Sequence, residues 1–560
     1  MVDYDAIVIG SGAGGLAAAL CLARAGKRVL VAEQHYLPGG WCHSFNLGGY
    51  HFSPGVHYIG DLGPGGFMRE AYEGLGVAND LPFLELNPDG FDHIIVGDER
   101  FDVPRGKKDF ANRLKARFPS EAVGIDDFMN TIEAMGGELV QLLKGGRRRD
   151  LLTMPWRAPL TARFATTSLE RFLDRYTQDP RLRAILSIQA GDHGMAPSRA
   201  PMAMHGFVLA HYFNGAFYPK GGARSIPRAF IRQIREHGGE IRVKTAVKRI
   251  LVEGYGPWRR AVGVELADGT TLRANTVISN ADPHRTFNMI DDYYQSRKMK
   301  RKLGATSYGV SALSLFFAVD MDLKAMGYDS GNYWYARTPS IESTYTFARR
   351  PHLDGTEVMP GVFLTITTLK DPSKRKDGLH TCEAFCIVSY DAFAKWAHTK
   401  HGERPDDYKA FKSALSERMF EALENIVPGI RKHVVYSELG TPLTNRFYVG
   451  ATQGNLYGIE KSWRQIGPMA FPIRTPLNGL YMCGASTLGH GVSGATMSGI
   501  RAAEIALGCS RDAFYDSRGQ HLEIYPSDHP ETWPTHVRPP TPASSPEQNM
   551  SALPDVSAVC

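Results

Sequence analysis

Apolar residues in this chain fall into short runs of strand length, separated by glycine-rich turns and by stretches with helical spacing. The opening "DYDAIVIGSGAGGLAAALCLARAGKRVLVAE" (3–33) shows all three. The run Ala6–Ile9 predicts a buried strand, Gly14–Ala25 a helix closed by Gly26, and "RVLVAE" a second strand that stops at Glu33. Late in the chain the order repeats: a short strand at Leu480–Cys483, a loop through Gly484, Gly489, Gly491 and Gly494, and a small-residue helix from about Ala495. Between them, Ile226, Phe230, Ile231 and Ile234 space an amphipathic helix, and "EIRVKTAVKRI" (240–250) is a strand with a break. "AVGVELADGTTLRANTVISNA" (261–281) predicts a hairpin turned at Asp268-Gly269.

The remaining blocks differ. Residues 76–215 hold a hairpin, "HIIVGDERFDVP", turned at Gly97-Asp98, and then a helical region. Residues 301–449 read as strands ("ALSLFFAVD", "VFLTITTL", "CEAFCIVSY") followed by the helix "DDYKAFKSALSERMFEALENIV". The pattern predicts an α/β chain. A discontinuous cofactor domain takes 1–75, 216–300 and 450–510, and an inserted α+β substrate or cap domain takes 76–215 and 301–449. Residues 511–560 form a C-terminal extension, rich in Pro and Ser and expected to be disordered from about 525.

Composition agrees with a globular chain of two or more domains: 560 residues, 43% hydrophobic and 22% charged. A net charge of +6 is too mild for a nucleic-acid footprint and suits an anionic cofactor or a membrane surface. The 7 cysteines are scattered without a Cys-x-x-Cys pair, which points to a reduced cytosolic chain rather than a disulfide framework. Strand-like residues begin at Tyr4, so no leader is expected ahead of them, and the longest apolar run, Ala312–Val319, is too short to span a bilayer.

Chemistry enters through the glycines. Gly10, Gly12 and Gly15 stand at G-x-G-x-x-G spacing between a strand and a helix. The first permits the tight turn, the second lets backbone approach a pyrophosphate, and the third lets helix pack on strand. The helix N-terminus then faces the phosphates with unpaired N–H groups. Glu33 ends the next strand, where a carboxylate accepts from ribose hydroxyls and repels a 2′-phosphate, so the ligand is FAD or NAD rather than NADP. The second glycine loop offers another helix N-terminus, as a large flavin requires. No second dinucleotide fingerprint follows; "GATQGNLYG" (450–458) is glycine-rich but joins no clear strand to a helix. No catalytic triad and no metal-ligand spacing stand out, and Cys42-His43 has no third partner that would make it a nucleophilic dyad or a metal site.

Several motifs together resemble flavoproteins of the amine-oxidase and phytoene-desaturase type, over roughly residues 1–510. They are the N-terminal block, "FYPKGGARSIPRAFIRQIREHGGEIRVKTAVKRI" (217–250), "TVISNADPHRTF" (276–287) and "LYMCGASTLGHGVSGATMSG" (480–499). "GGWCHSF" followed by "GVHYIG", with "LKDPS" (369–373) and "TCEAF" (381–385), is similar to the retinol saturase and carotenoid isomerase branch. The resemblance implies a Rossmann-like FAD-binding domain of the glutathione-reductase and amine-oxidase kind. It places FAD against Gly10, Gly12, Ala13, Gly14, Gly15, Glu33, Gln34, Gly39, Gly40, Trp41, Val247, Gly484, Ala485, Gly494 and Ala495, with backbone near Val247 facing the adenine. Many relatives have Arg after the Gly-Gly pair; here it is Trp41, so backbone N–H groups or another residue must meet the phosphate.

The implied reaction is hydride exchange at flavin N5 with a carbon–carbon bond of a polyene or isoprenoid lipid. Desaturation, saturation and isomerisation share one such site. The electron partner is a quinone, oxygen, NAD(P)H or a carrier protein. His57 and Tyr58, in "SPGVHYIG", are the candidate catalytic groups near the ring, and no metal is expected. Two other readings stay open: a flavin-free escort protein for prenylated partners, which Glu33 and both glycine loops oppose, and a flavin amine oxidase. "RRRDLLTMPWRAPLTARFATTSLERFLDRY" (147–176) reads either as an interfacial membrane anchor for a cytoplasmic enzyme or as a solvated helix pair in the cap.

Overall fold

The computed structural model describes residues 2–145, 153–517 and 519–538. Two seven-stranded sheets dominate it. The first orders its strands Val247–Glu253, Arg260–Leu266, Thr271–Ser279, Tyr4–Ile9, Val29–Ala32 and Glu240–Arg242, and Leu480–Met482 also pairs with Thr271–Ser279. Around Tyr4–Ile9 the pairing is parallel on both sides, with Ala6 opposite Val29 and Thr276. Both faces of that strand are covered, which is why Ala6–Ile9 reads as a continuous apolar run.

The helix Ala13–Arg24 buries every residue from Gly14 to Ala23. Its Gly-Ala composition has a geometric cause. The helix Gly491–Leu507 packs across it so closely that a Cβ on Gly499 would lie 2.0 Å from the Gly14 carbonyl oxygen, and one on Gly14 would lie 2.8 Å from the Ala495 carbonyl. The later helix begins at Gly491, ahead of the Ala495 expected from sequence. Gly491 and Gly494 therefore belong to its first turn, and a Cβ on Gly494 would stand 2.4 Å from the Gly489 carbonyl carbon.

The second sheet orders Val434–Gly440, Ser311–Val319, His380–Val388, Gly361–Ile366, Asn332–Ala336, Asp92–Val96 and Glu99–Val103. It is antiparallel except where Asn332–Ala336 meets Asp92–Val96. Leu313, Leu315 and Phe317 share a core with Met419, Phe420 and Leu423 of the helix Asp406–Leu423. The opposite face carries Phe316, packed against Phe45 and Phe52 at ring distances of 5.1 and 5.6 Å. Those two phenylalanines lie on the hairpin Phe45–Leu47/Tyr50–Phe52, so the segment after Trp41 bridges the first sheet's glycine turn to the second sheet.

The C-terminal extension departs from expectation. Disorder was expected from about 525, yet Ile524–Pro526 pairs in parallel with Phe83–Glu85, and Trp533 is fully buried beside Leu84 and Val537. Trp533 Nε1 donates to the Pro526 carbonyl at 2.7 Å, and Asp528 accepts from Ser330 Oγ at 2.6 Å. A single large anchor on a three-residue strand leaves no periodic signal in sequence, while burial of an indole is worth several kcal/mol. Residues 539–560, with Cys560, lie outside the described residues.

Candidate functional site

A cavity of about 560 Å³ lies between the two sheets, within the range of cofactor and substrate sites. Segments far apart in sequence line it: the glycine turn, the Glu33 strand end, residues 39–43, 54–58, 280–285, 448–458 and 483–495, and the inner face of the second sheet.

At the first-sheet end, Gly10, Gly12, Ala13 and Gly14 border the cavity, and the helix they open has no capping side chain on its N-terminal N–H groups. The helix Gly491–Leu507 is likewise uncapped, and its Gly491, Val492 and Ala495 border the same space. Two helix N-termini with unpaired donors face one cavity, an arrangement that favours negative charge. Asn280, at the end of its strand, fills the room that glycine leaves: a Cβ on Gly12 would sit 2.6 Å from its Nδ2, and one on Gly484 would sit 2.7 Å from its Oδ1.

Glu33 is buried with three donors on it. Ser11 N and Oγ donate to Oε2 at 2.9 and 2.6 Å, and His35 N donates to Oε1 at 2.8 Å, leaving Oε1 one free acceptor position. Ser11 Oγ also accepts from Gly39 N at 2.9 Å, tying the Gly39-Gly40 pair to the fingerprint. Gly40 has φ 56°, and a Cβ there would be 3.1 Å from Gly12 Cα. Gln34, Trp41, Val247, Gly484 and Ala485 border the cavity too. Gly15 and Gly494 do not; a Cβ on Gly15 would be 2.1 Å from the Gly10 carbonyl oxygen, so its role is close packing of helix on strand. The donor set and the glycine-lined cradle fit a dinucleotide of the size of FAD.

Trp41 packs on Gly55, whose Cβ would lie 3.1 Å from Cε3 of the indole, and supplies no charge. Among the described residues lining the cavity, Arg285 is the one lysine or arginine. It lies on the helix Pro283–Asn288, capped by Asp282, which also accepts from Thr452 N at 3.0 Å and from Tyr308 Oη at 3.0 Å. Asp282 thus pins "GATQGNLYG", whose Gly450, Asn455 and Tyr457 border the cavity. Sequence gave that stretch no role because its partner lies 170 residues earlier. Losing a charge-assisted contact costs about 1.5–3 kcal/mol, so Arg285→Ala is expected to weaken FAD binding about tenfold to a hundredfold in a fluorescence titration of the apoprotein.

Cys42 and His43 do not pair. Burial pushes the Cys42 thiol up to about 12 and the His43 ring down to about 4, and His43 Nδ1 bonds to the Gly40 carbonyl. Among the described residues, no group of three or more His, Cys, Asp or Glu side chains is placed to hold a metal ion.

At the second-sheet end the wall turns aromatic: Trp334, Tyr345, Phe363, Phe385 and Tyr457 border it. His57 and Tyr58 both reach this region. The His57 ring lies 4.6 Å from Phe385 and 5.4 Å from Phe363, with Nδ1 3.3 Å from Glu383 Oε2. Burial holds its pKa below the ordinary value, so the ring is neutral at pH 7. Its carbonyl accepts from the buried Lys370 Nζ at 2.6 Å.

Tyr58 opens onto groups that sequence did not single out. Its ring stacks on Tyr212 at 4.4 Å. Its hydroxyl lies 2.8 Å from Asp192 Oδ2, on the cavity wall, and 3.3 Å from the fully buried Asp92 Oδ2. Asp92 also accepts from Gln189 Nε2 at 2.8 Å and Asn332 Nδ2 at 3.1 Å, and Lys370 Nζ donates to the Asn332 Oδ1. No local signal marks these residues, because five separate segments bring them together.

The family model for flavin containing amine oxidoreductase matches residues 13–507. The chain is 30% identical to the all-trans-retinol 13,14-reductase of Danio rerio, over 93% of this chain and 88% of that protein. It is 28% identical to the chloroplastic prolycopene isomerase of Arabidopsis thaliana, over 89% of this chain and 82% of that protein. Among solved structures, an oxidoreductase from Methanosarcina mazei superposes with a TM-score of 0.61 at 19% identity, covering 89% of this chain and 99% of that one. A redesigned putrescine oxidase gives 0.60 at 15% identity, over 90% and 99%. At such identities the two structures speak for the fold.

Proposed function

The chain belongs to the flavin-containing amine oxidoreductase family and its cofactor is FAD; from that premise we propose that it acts on the carbon–carbon bonds of a polyene or isoprenoid lipid of retinoid or carotenoid type. The observation that carries this reading is the continuity of one cavity from the dinucleotide cradle to an aromatic chamber without lysine or arginine among its described lining residues, Arg285 excepted. Such a chamber takes a flat, apolar, conjugated chain and offers no cation to an anionic headgroup.

FAD, when bound, supplies two-electron exchange with the substrate. The protein's own groups do the rest. Gly12–Gly14, Glu33 and the two uncapped helix ends hold the dinucleotide. Phe363, Phe385 and Trp334 present an apolar wall that orients the chain and keeps water from it. His57, neutral and packed at a tilt against Phe363 and Phe385, positions the bound chain without placing a charge beside it.

Anaerobic incubation of the flavin-loaded protein with all-trans-retinol and with carotenes, followed by mass and isomer analysis, tests the reading. A mass change of two hydrogens, or an altered isomer at constant mass, is expected. Unchanged polyenes together with hydrogen peroxide formed from amines in air would overturn it. Electron supply is assigned by repeating the trial with a quinone, oxygen, NAD(P)H or a carrier protein.

We also propose that the protein lies on a membrane surface. No helix among the described residues is long and apolar enough to cross one. Arg147, Arg148 and Arg149 lie outside the described residues, and Trp156 beyond them is 80% exposed. Trp156→Ala is expected to lower co-sedimentation with anionic liposomes; equal pelleting sinks the idea.

A further inference from the structure

We propose that Asp192 is the proton-transfer group of this site, held in its neutral acid form by its enclosure and by the neighbouring Asp92 carboxylate, and that it gives or takes the proton at the substrate carbon. This deepens the polyene reading and rests on it for the identity of the carbon.

The geometry carries the argument. Asp192 closes the turn Ile188–Asp192 and borders the cavity, which places it beside the space that substrate enters. One phenol serves two carboxyls: Tyr58 Oη is 2.8 Å from Asp192 and 3.3 Å from Asp92. Two carboxylates sharing one hydroxyl in a buried site do not both ionise, because each raises the cost of the other's charge. Which one keeps the proton follows from their other partners. Asp92 has two amide donors, Gln189 and Asn332, with Lys370 on the far side of Asn332. Asp192 has none of these; Tyr58 is its side-chain hydrogen-bond partner among the described residues. The negative charge therefore settles on Asp92 and the proton on Asp192. The Tyr58 hydroxyl donates to Asp192 Oδ2 at 2.8 Å and lies farther, at 3.3 Å, from Asp92 Oδ2.

The groups facing Asp192 from neighbouring elements do not change this. Tyr212, Tyr345 and Tyr457 are buried phenols pushed up and away from ionisation, and His490, which donates to the Asp192 carbonyl, is pushed down to about 3 and is neutral. Burial pushes the Asp92 carboxyl up as well, but Gln189, Asn332 and Lys370 oppose that, and burial together with the Asp92 charge lifts the Asp192 carboxyl to about 8. An acid of that strength is mostly protonated at neutral pH yet gives up its proton readily enough to work in either direction.

In the saturating direction the Asp192 O–H bond breaks and the proton joins one carbon of a C=C bond, whose π pair forms the new C–H bond. The adjacent carbon takes up a hydride equivalent, which bound reduced FAD would supply, and a proton from solvent restores the acid. Desaturation reverses each step: the carboxylate takes the proton, the C–H pair becomes the π bond, and the hydride equivalent leaves the adjacent carbon, for which bound oxidised FAD would be the acceptor.

Infrared difference spectroscopy of the FAD-loaded protein, without substrate, reads the proton directly. A neutral-acid C=O band should appear in the wild type, fade as pH rises through about 8, and be missing from Asp192→Asn at equal flavin content. A wild type without that band, or a variant that keeps it, overturns the proposal. The second arm uses all-trans-retinol in single turnovers. Asp192→Asn should slow the reaction about a hundredfold or more, and Tyr58→Phe, which keeps the ring but removes a donor from Asp192, should raise the pH at which the wild-type rate falls. An unaltered rate and pH profile in Asp192→Asn also overturns it. If retinol and carotenes are inert with the wild type, the polyene reading fails while the infrared result still decides whether Asp192 holds the proton.

Discussion

Gly499→Ala is expected to yield a protein that no longer retains FAD and unfolds at a markedly lower denaturant concentration. A glycine inside a helix normally gains about 1 kcal/mol on replacement by alanine. Here the added methyl carbon would stand 2.0 Å from the Gly14 carbonyl oxygen and 3.0 Å from Ala17 Cβ. The first obstacle is backbone, so no rotamer change relieves it, and overpacking of this kind costs about 3 kcal/mol or more. The steric cost exceeds the propensity gain, and the two helices must separate. Gly14 and Ala495, one from each helix, both border the cavity, so separation opens the cradle itself. Gly137→Ala is the control. Gly137 lies in the helix Ala122–Gly145 with nothing within 4 Å of its added carbon, so that variant should be as stable as the wild type or up to about 1 kcal/mol more so. Urea unfolding and flavin content measure both.

Lys370→Met is expected to lose about 1–3 kcal/mol for each of the two buried acceptors it strands. Lys370 is fully buried and donates to the His57 carbonyl and to Asn332 Oδ1; both acceptors would be stranded. Asp92 and Glu383, also fully buried, would lose their nearby cation. Methionine matches the length of the stem but not the donors. The pH dependence identifies the cause. Burial pushes Lys370 down to about 7 from an unfolded value of 10.5, so between those limits the unfolded chain binds a proton that the folded chain does not. Stability therefore gains from this group as pH rises through that window, and the gain disappears in Lys370→Met. Denaturant midpoints at pH 7 and pH 9 should converge in the variant relative to the wild type.

These two residues also show what the sequence discloses and what it hides. The cofactor end is legible because its signals are local. Gly10, Gly12 and Gly15 stand at fixed spacing between two strands, and Glu33 ends the next one. The tight turn, the uncapped helix and the acceptor all lie within one strand–helix–strand unit. Gly499 sits in a second motif that sequence also marks, although its contact with Gly14 across 485 positions does not show until the helices are packed. The chemical end is not legible in the same way. His57 and Tyr58 stand out by their setting in "SPGVHYIG", but Tyr58 gains meaning only beside Asp92 and Asp192, on a strand and a turn of the inserted region. An aspartate in "AGDHG" looks like a turn residue, and a lysine in "LKDPS" looks like a surface residue, until the sheet closes over them. Trp533 is hidden for the converse reason, since one buried indole in a Pro-rich extension produces no period.

The central claim is that one cavity joins an FAD cradle to a chamber for an apolar polyene. Rapid anaerobic mixing of the chemically reduced, FAD-loaded protein with all-trans-retinol or a carotene tests it most directly, with the flavin and polyene bands followed together. The account predicts that the oxidised flavin band returns, or the polyene band shifts, with a rate that saturates in polyene and collapses in Asp192→Asn. A protein that binds no FAD, or a reduced holoprotein whose spectrum no polyene changes while amines reduce its oxidised form, would contradict it.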